Sequence, residues 1–275
     1  MAVEMLSYIE RPSPIHRLTG ATKLICFIIW SVAAMLTYDT RILLFLFLFS
    51  LIVFKISKIK IKEISFVLIF ILVFLFINNF AIYLFSPAQG VEIYGTKHTL
   101  LGSGHYELTV EQLFYLGNIT LKYLVVIPVA LLFIVTTHPS EFASSLNRIG
   151  VSYRISYAVA LALRYIPDIQ REFRTIALSQ QARGIDMSKK EKLPKRIKNA
   201  ASIIAPLIFS SLDRIEVISN AMELRGFGKN KKRTWYSARP FQFSDYVAIF
   251  LLVIILLSSL IITFHDGNRF YNPFN

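Results

Sequence analysis

Long apolar blocks are the feature that most restricts how this chain can fold. A helix rises about 1.5 Å per residue, so a hydrocarbon core of about 30 Å takes roughly 20 apolar residues to cross. Blocks of this kind lie at residues 24–38, 42–54, 64–85, 113–136 and 243–264, of which the first two are the shortest. The sequence therefore predicts an all-α polytopic integral membrane protein with about five transmembrane helices.

The composition agrees with a membrane protein. Hydrophobic residues make up 55 % of the chain and the mean hydropathy is +0.54, whereas soluble domains hold about 45–50 % apolar residues. The single cysteine, Cys26, lies inside an apolar block, which excludes a disulfide framework and a cysteine-based metal site. Residues 1–22 are polar and contain proline, so no cleavable signal peptide is expected.

Basic residues are concentrated in particular loops. The formal net charge is +13, and cytoplasmic loops of membrane proteins carry an excess of Lys and Arg. They gather before the first block (Arg11, Arg17, Lys23), after the second (Lys55, Lys58, Lys60, Lys62) and between residues 148 and 239, whereas residues 86–112 hold only Lys97. This pattern predicts a cytoplasmic N-terminus and an external C-terminus. Cytoplasmic loops beside a lipid bilayer therefore account for the positive charge, and no nucleic-acid partner is expected.

The blocks divide the chain into three predicted regions. Residues 1–136 form an N-terminal membrane region with four transmembrane helices, residues 137–242 a cytoplasmic region, and residues 243–275 the final transmembrane helix with an external tail. The fourth block contains Pro128, a candidate for a kink. It also contains Lys122, whose long side chain we expect to extend to the membrane surface.

Two long helices in the cytoplasmic region carry both apolar and charged faces. In the first, Pro167 falls in the first turn of an amphipathic stretch that includes Phe173 and Ile176; the second, about residues 197–225, places Leu212 and Ile215 on one face. They are too apolar for solvated helices and too charged for transmembrane ones. We expect them at the membrane–cytoplasm boundary, against membrane helices or partner proteins. A lipid-facing helix pair is the simpler alternative.

An Arg-Gly pair ends each of these helices. QQARGID contains Arg183-Gly184, and AMELRGFG repeats the pair at Arg225-Gly226. Each pair alone is explained as a good helix C-terminus, because Gly adopts the left-handed conformation and a cation complements the helix dipole. Together, two arginines at helix tips can bind carboxylates or carbonyls on another protein. That geometry suits a partner with two equivalent sites.

These motifs resemble those of the transmembrane (T) components of energy-coupling factor (ECF) transporters. That family carries two Ala-Arg-Gly-like motifs at the ends of two cytoplasmic coupling helices. Ala182-Arg183-Gly184 matches fully, and Leu224-Arg225-Gly226 departs at its first position. The segment SPIHRLTGATKL is also similar to the family's S-x-x-H-x-L-D-P-x-x-K-L, with Thr19-Gly20 in place of Asp-Pro.

The resemblance implies a scaffold in the cell membrane of a prokaryote. Two ABC-type ATPase subunits would bind ATP and Mg and each receive one helix tip, and a membrane-embedded substrate-binding (S) component would pack on the chain for uptake of a vitamin or trace-metal ion. The implied ATPase anchors are Ala182, Arg183, Gly184, Leu224, Arg225 and Gly226. The implied positions for coupling-helix packing or S-component contact are Pro167, Phe173, Ile176, Pro206, Ile208, Leu212 and Ile215. No cofactor is expected in this chain.

Two other classes of protein remain as alternatives. An integral-membrane enzyme would need clustered acidic residues or histidines, and the chain shows no Walker motif, nucleophile elbow or paired-carboxylate pattern. A stand-alone carrier would need polar groups in the apolar blocks, which hold few. His98, His105 and Glu107 in the outer loop match no compact metal-ligand spacing, so a solvated loop is expected there rather than a metal site.

Overall fold

The chain forms two compact units, called here the membrane unit (Met1–His138 with Arg239–Asn275) and the second unit (Pro139–Ala238). The computed structural model describes Tyr8, residues 11–102, Gly104 and residues 106–185, 193–230, 234–265 and 269–274. Residues 193, 195, 196 and 198 are described by their backbone alone.

Helices dominate the described residues, which confirms the predicted all-α membrane class. In chain order the elements are α1 (Pro14–Arg17), α2 (Gly20–Leu36), α3 (Thr40–Ile56), α4 (Ile61–Phe85), α5 (Gln89–Tyr94), β1 (Thr99–Leu101), β2 (Leu108–Thr109), α6 (Val110–Thr136), α7 (Pro139–Arg148), α8 (Tyr153–Ala182), α9 (Leu193–Leu224) and α10 (Phe243–Phe264). The two short strands pair antiparallel within the predicted outer loop.

The long helices of the membrane unit run in alternating directions. Lys23 Nζ, near the start of α2, donates to Thr136 O at the end of α6 (2.7 Å), so these two helices are antiparallel. At the other end of α2, the hydroxyls of Thr37 and Thr263 lie 2.7 Å apart, so α2 and α10 run in the same direction. Helix α6 also packs against α3 and α4. The bundle is thus arranged around α2 and α6.

Local sequence explains where α2 begins. Thr19 is its N-cap, and the Thr19 hydroxyl accepts from Thr22 N at 3.4 Å. Gly20 is the first helical residue. Thr19-Gly20 therefore occupies the cap and first-turn positions to which Asp and Pro are well suited, so the departure from the N-terminal motif preserves a capped helix start.

One core cluster joins α2, α3 and α6. Trp30, Leu43, Leu46 and Val125 are buried against one another. Trp30 Nε1 donates to Val125 O at 3.1 Å, which satisfies the indole N–H inside an otherwise apolar contact. In a bilayer the outer environment is also apolar, so this contact is stabilised by close packing and the buried hydrogen bond.

The outer faces of α4 and α10 carry large apolar side chains. Phe66, Phe76, Phe85, Phe250 and Ile261 are all exposed, which is the arrangement a hydrocarbon surrounding favours. By length and composition, α4, α6 and α10 can cross a membrane, whereas α2 is a shorter apolar helix. The count of five transmembrane helices stays a prediction.

The side chain of Lys122 extends to the C-terminal end of α2. Its side chain is buried, and Nζ donates to Met35 O at 2.9 Å. Nζ also lies 3.3 Å from the centre of the Tyr38 ring. The helix dipole explains this position, because carbonyls at the end of α2 attract a cation and α2 has no basic residue in its own last turn.

The second unit contains α7, α8 and α9. Helix α8 is continuous over 30 residues, so Pro167 lies in the middle of a helix and not in a first turn. Its start is capped by the Ser152 hydroxyl, which accepts from Ile155 N at 3.4 Å. Pro167 removes one backbone donor within a long helix, a cost that the apolar packing of this helix can offset. Pro206 likewise lies inside α9.

Gly90 in α5 gives a test of the outer packing of the membrane unit. A Cβ at this position would lie 2.5 Å from backbone atoms of Glu111 and Gln112. We expect Gly90→Ala to lower the free energy of unfolding by about 1–3 kcal/mol, because backbone at this contact cannot yield cheaply. Thermal unfolding of the purified protein in detergent measures this.

Gly117 in α6 is the matched control, because a Cβ there would meet nothing within 4 Å. Gly117→Ala should leave the midpoint of thermal unfolding unchanged or raise it slightly. Equal midpoints for the two alanine variants would show that α5 does not pack on α6 as described.

Candidate functional site

Helices α8 and α9 lie side by side and run in opposite directions. The Glu172 carboxylate accepts from Arg214 Nη2 at 2.7 Å and from the Ser210 hydroxyl. Further along α8, Gln180 Nε2 donates to Ser202 O at 3.3 Å. Residue numbers therefore rise along α8 as those of their partners fall along α9. The contacts define an antiparallel pair.

The Glu172–Arg214 ion pair fixes the relative register of the two helices and contributes little to their stability. Its side chains are 21 % and 37 % exposed, and an ion pair this accessible contributes at most about 1 kcal/mol. Arg214 also lies over the Tyr165 ring, with 5.8 Å between the guanidinium carbon and the ring centre. The three side chains together fix which turn of α8 faces which turn of α9.

Aromatic side chains hold the far end of α9 against the start of α8. Phe227 follows α9 directly, and its ring centre lies 5.5 Å from that of Tyr153 and 4.9 Å from that of Tyr157. Trp235 lies 6.4 Å from Tyr157 and donates from Nε1 to Asn147 Oδ1 in α7 at 3.0 Å. We call Tyr153, Tyr157, Phe227 and Trp235 the aromatic seat. It attaches the end of α9 to α7 and α8.

The antiparallel arrangement places the two Arg-Gly pairs at opposite ends of one helix pair. Arg225 and Gly226 lie beside the aromatic seat, next to Tyr157, whereas Arg183 follows the last residue of α8. From Tyr157 to Arg183 is 26 residues along α8, or about 39 Å of helix at about 1.5 Å per residue. The second unit thus presents two separated tips on one elongated element.

Both tips have the same backbone structure. At the first, Ile185 N donates to Gln180 O (3.1 Å) and Gly184 N to Gln181 O (2.9 Å). At the second, Phe227 N donates to Met222 O (2.9 Å) and Gly226 N to Glu223 O (2.8 Å). Gly184 and Gly226 have φ values of 87° and 68°. Each end is a Schellman motif, which requires a left-handed residue and so favours glycine.

The residues before each glycine lie at the surface. Ala182, Arg183, Leu224 and Arg225 are all exposed, and Leu224 is 90 % exposed. The larger Leu224 side chain therefore projects away from the helix body, and the second tip keeps its backbone structure despite the departure from Ala-Arg-Gly. Each arginine follows the last residue of its helix, where a guanidinium can reach a neighbouring molecule.

Several predicted packing positions form an exposed apolar surface. Phe173, Ile208, Leu212 and Ile215 are each more than two-fifths exposed, and Ile176 is half-buried. Ile215 also lines a groove of about 330 Å³ between α8 and α9; the groove's other apolar lining residues are Leu161, Tyr165, Ile169, Ile218 and Met222. The second unit on its own leaves this surface uncovered.

The buried carboxylate of Glu111 binds the predicted outer loop. The Glu111 carboxylate accepts from His98 N at 3.1 Å, and Glu111 Oε1 lies 2.6 Å from His98 Nδ1. A hydrogen bond from Lys97, with its positive charge, lowers the pKa of Glu107. Within the part of the chain that the structure describes, no three His, Cys, Asp or Glu side chains form a metal-binding group. His105 lies outside the described residues.

The sequence did not identify the contacts that join the two helices. Glu172 and Arg214 are 42 residues apart, and each alone resembles an ordinary surface charge. Phe227 was detectable in principle, because an apolar residue directly after the C-terminal glycine commonly packs back on its helix. Its actual partners, Tyr153 and Tyr157, come from the other helix.

Comparisons with known proteins agree with this architecture. A family model described as a cobalt transport protein, CbiQ, matches residues 11–236 and so includes both Arg-Gly pairs. The energy-coupling factor transporter transmembrane protein EcfT of Bacillus selenitireducens is 29 % identical over 259 residues, which cover 89 % of this chain and 92 % of that protein. The proteins of the same name from Streptococcus equi subsp. equi (28 %, covering 90 % and 92 %) and Lactococcus lactis subsp. cremoris (26 %, covering 91 % and 95 %) are also similar.

The apolar helix bundle, the exposed helix pair and the family match together define a membrane protein with a role in transport rather than catalysis. The chain belongs to the cobalt transport protein (CbiQ) family. The resemblance proposed from the two Arg-Gly motifs is thereby confirmed, and the chain is a transmembrane component of the ECF transporter type.

Phe227 tests whether the aromatic seat holds the second tip. We expect Phe227→Ala to speed amide hydrogen exchange across residues 222–228 about tenfold or more, because removal of a packed aromatic ring costs more than 1 kcal/mol. Mass spectrometry of the exchanged protein measures this. Leu224→Ala is the matched control, since Leu224 is 90 % exposed and should leave exchange unchanged. Equal exchange in both variants would mean that the ring does not hold the tip.

Proposed function

We propose that this chain is the scaffold through which two ABC-type ATPase subunits drive a membrane-embedded S component. ATP and Mg bind to the ATPase subunits, and this chain transmits their movement. The substrate, a vitamin or trace-metal ion, is bound by the S component.

The matched Schellman ends are the observation that carries the proposal. Two exposed arginines, Arg183 and Arg225, stand on the same backbone motif at opposite ends of one antiparallel helix pair. A pair of equivalent binding sites is what a dimer of similar ATPase subunits offers. One tip for each subunit makes use of both motifs, whereas a single-site partner leaves one without a role.

The chemistry of the tips fits a groove that contains carboxylates or helix-end carbonyls. A guanidinium has five N–H donors and binds a carboxylate through two parallel hydrogen bonds. Gly184 and Gly226 are needed for the left-handed backbone turn, and the missing side chain also leaves room for a partner. In this proposal Ala182 and Leu224 contact the rim of the groove.

The exposed apolar surface of α8 and α9 supplies the second contact. Phe173, Ile176, Ile208, Leu212 and Ile215 provide apolar area without strong charge, which suits another membrane-embedded protein. Pro167 and Pro206 lie inside the same helices, where a missing backbone donor makes bending easier. We propose that the S component packs on this surface and moves when the helices move.

The charge pattern supports a particular orientation of the chain in the membrane. Basic residues at both boundaries of the second unit favour a cytoplasmic location, with the N-terminus cytoplasmic and the C-terminus external. An enzyme or a stand-alone carrier is less well supported. Two buried lysines that such a protein could use are bound instead to backbone carbonyls, Lys23 to Thr136 O and Lys122 to Met35 O.

Charge reversal at the tips tests the anchoring contacts. We expect the double variant Arg183→Glu, Arg225→Glu to lose both ATPase subunits when the affinity-tagged chain is purified from its native membranes. Truncating one partner of a buried charge pair costs about 2–5 kcal/mol, so each single variant should retain less than about a tenth of the ATPase subunit that binds the altered tip. Quantitative mass spectrometry of the purified complex measures the retained subunits.

Arg171→Glu is the matched control. Arg171 is an exposed arginine of α8 that is bonded to Asp168 within the same helix, so its reversal should leave ATPase recovery unchanged. Unchanged recovery in the double variant would contradict the anchoring role. An unaltered thermal unfolding midpoint would show that the loss arises at the contact and not from misfolding.

A further inference from the structure

A buried polar cluster lies at one end of the membrane unit, where α2 and α10 begin and α6 ends. Lys23 Nζ donates to Thr136 O at 2.7 Å, and Thr19 N donates to Asp245 Oδ1 at 2.9 Å. Gln242 N donates to the other carboxylate oxygen of Asp245 at 2.8 Å. We call Thr19, Lys23, Thr136 and Asp245 the junction cluster.

The members of the junction cluster are inaccessible. Lys23 is 6 % exposed and Asp245 is fully buried. A charged side chain in such a place is retained only where hydrogen bonds satisfy it. Lys23 meets this need at the C-terminal carbonyl of α6, where the helix dipole also favours a cation. Asp245 meets it at the first turn of α10, where the dipole favours an anion.

The junction cluster lies close, along the chain, to both links between the membrane unit and the second unit. The chain leaves the membrane unit after His138, two residues beyond Thr136, and returns at Arg239, six residues before Asp245. Arg239 Nη2 also donates to Leu18 O at 3.1 Å. Both covalent links between the units are therefore bound, within a few residues, to the start of α2 or to the residues just before it. A force carried by either link acts first on this cluster.

We propose that Lys23 and Asp245 are positioning residues that make α2, α6 and α10 respond together when the second unit moves. This inference rests on the proposed coupling function. Lys23 joins the outgoing link to α2 through Thr136, and Asp245 joins the returning link to α2 through Thr19. Without these bonds, movement of the second unit displaces the ends of α6 and α10 separately.

The structure explains why polar bonds rather than apolar contacts are used here. A hydrogen bond to one carbonyl, or from one backbone N–H, has a defined length and direction. Apolar side chains at the same place would hold the helices together but permit sliding. The departure at Thr19-Gly20 leaves this arrangement intact, because the bond to Asp245 comes from the backbone N–H of Thr19.

Lys23→Met and Lys23→Arg separate the positioning role from simple packing. Methionine keeps much of the length and removes the donor, whereas arginine restores a donor. The complex is purified with its ATPase subunits, and amide exchange of residues 18–26 is measured with ATP and vanadate and without nucleotide. The readout is the difference between these two states. A merely structural lysine changes exchange in both states equally and leaves the difference intact.

We expect Lys23→Met to reduce the nucleotide-dependent difference in residues 18–26 about fivefold, at the lower end of ordinary coupling between sites. Lys23→Arg should restore it, and the ATPase rate should stay within about twofold of the unaltered complex. Gly90→Ala, which perturbs the opposite end of the membrane unit, is the control and should keep the full difference. A full difference in Lys23→Met would overturn the proposal.

Asp245→Leu gives a second, independent arm if Lys23→Met does not assemble. Leucine keeps a similar volume and removes both acceptors, and the same reduction is expected at residues 18–26. A full difference in Asp245→Leu would likewise contradict the proposal. Failure of the proposed coupling function is distinguishable, because the unaltered complex would then show no nucleotide-dependent difference or would contain no ATPase.

Discussion

Antiparallel packing of α8 and α9 is the constraint on which the functional interpretation depends. Glu172, Ser210 and Arg214 fix the register of the pair, and the aromatic seat fixes its end. Had the helices packed in parallel, both Arg-Gly pairs would lie side by side. Because they are antiparallel, about 39 Å of helix separates the tips. This separation supports the proposal that the tips bind two different subunits rather than two sites on one small surface.

The membrane unit uses polar groups in a related way. Its helices are apolar toward lipid, and its directional bonds lie mostly near the ends of the bundle. Lys23 and Asp245 bind at the end where the chain enters and leaves the second unit, and Lys122 binds at the opposite end of α2. Apolar packing alone permits helices to slide, so these end contacts give the bundle its defined arrangement.

Local sequence patterns predicted much of this architecture. Apolar length identified the long membrane helices, and glycine after each amphipathic helix located both tips, because left-handed glycine is a local requirement. Contacts between distant residues were not predictable in this way. Nothing near Glu172 marks Arg214 as its partner, and nothing near Lys122 indicates that the end of α2 lies within reach. Pro167 lies inside α8 rather than in a first turn, because one missing hydrogen bond does not end a helix of 30 residues.

We propose that one copy of this chain binds two ATPase subunits at once. Native mass spectrometry of the complex, purified through a tag on this chain, counts the subunits. We expect one copy of this chain with two ATPase subunits, either identical or different, and with one S component. A complex that holds one ATPase subunit per copy of this chain would rule out the two-subunit arrangement, because one of the two Arg-Gly tips would then have no partner.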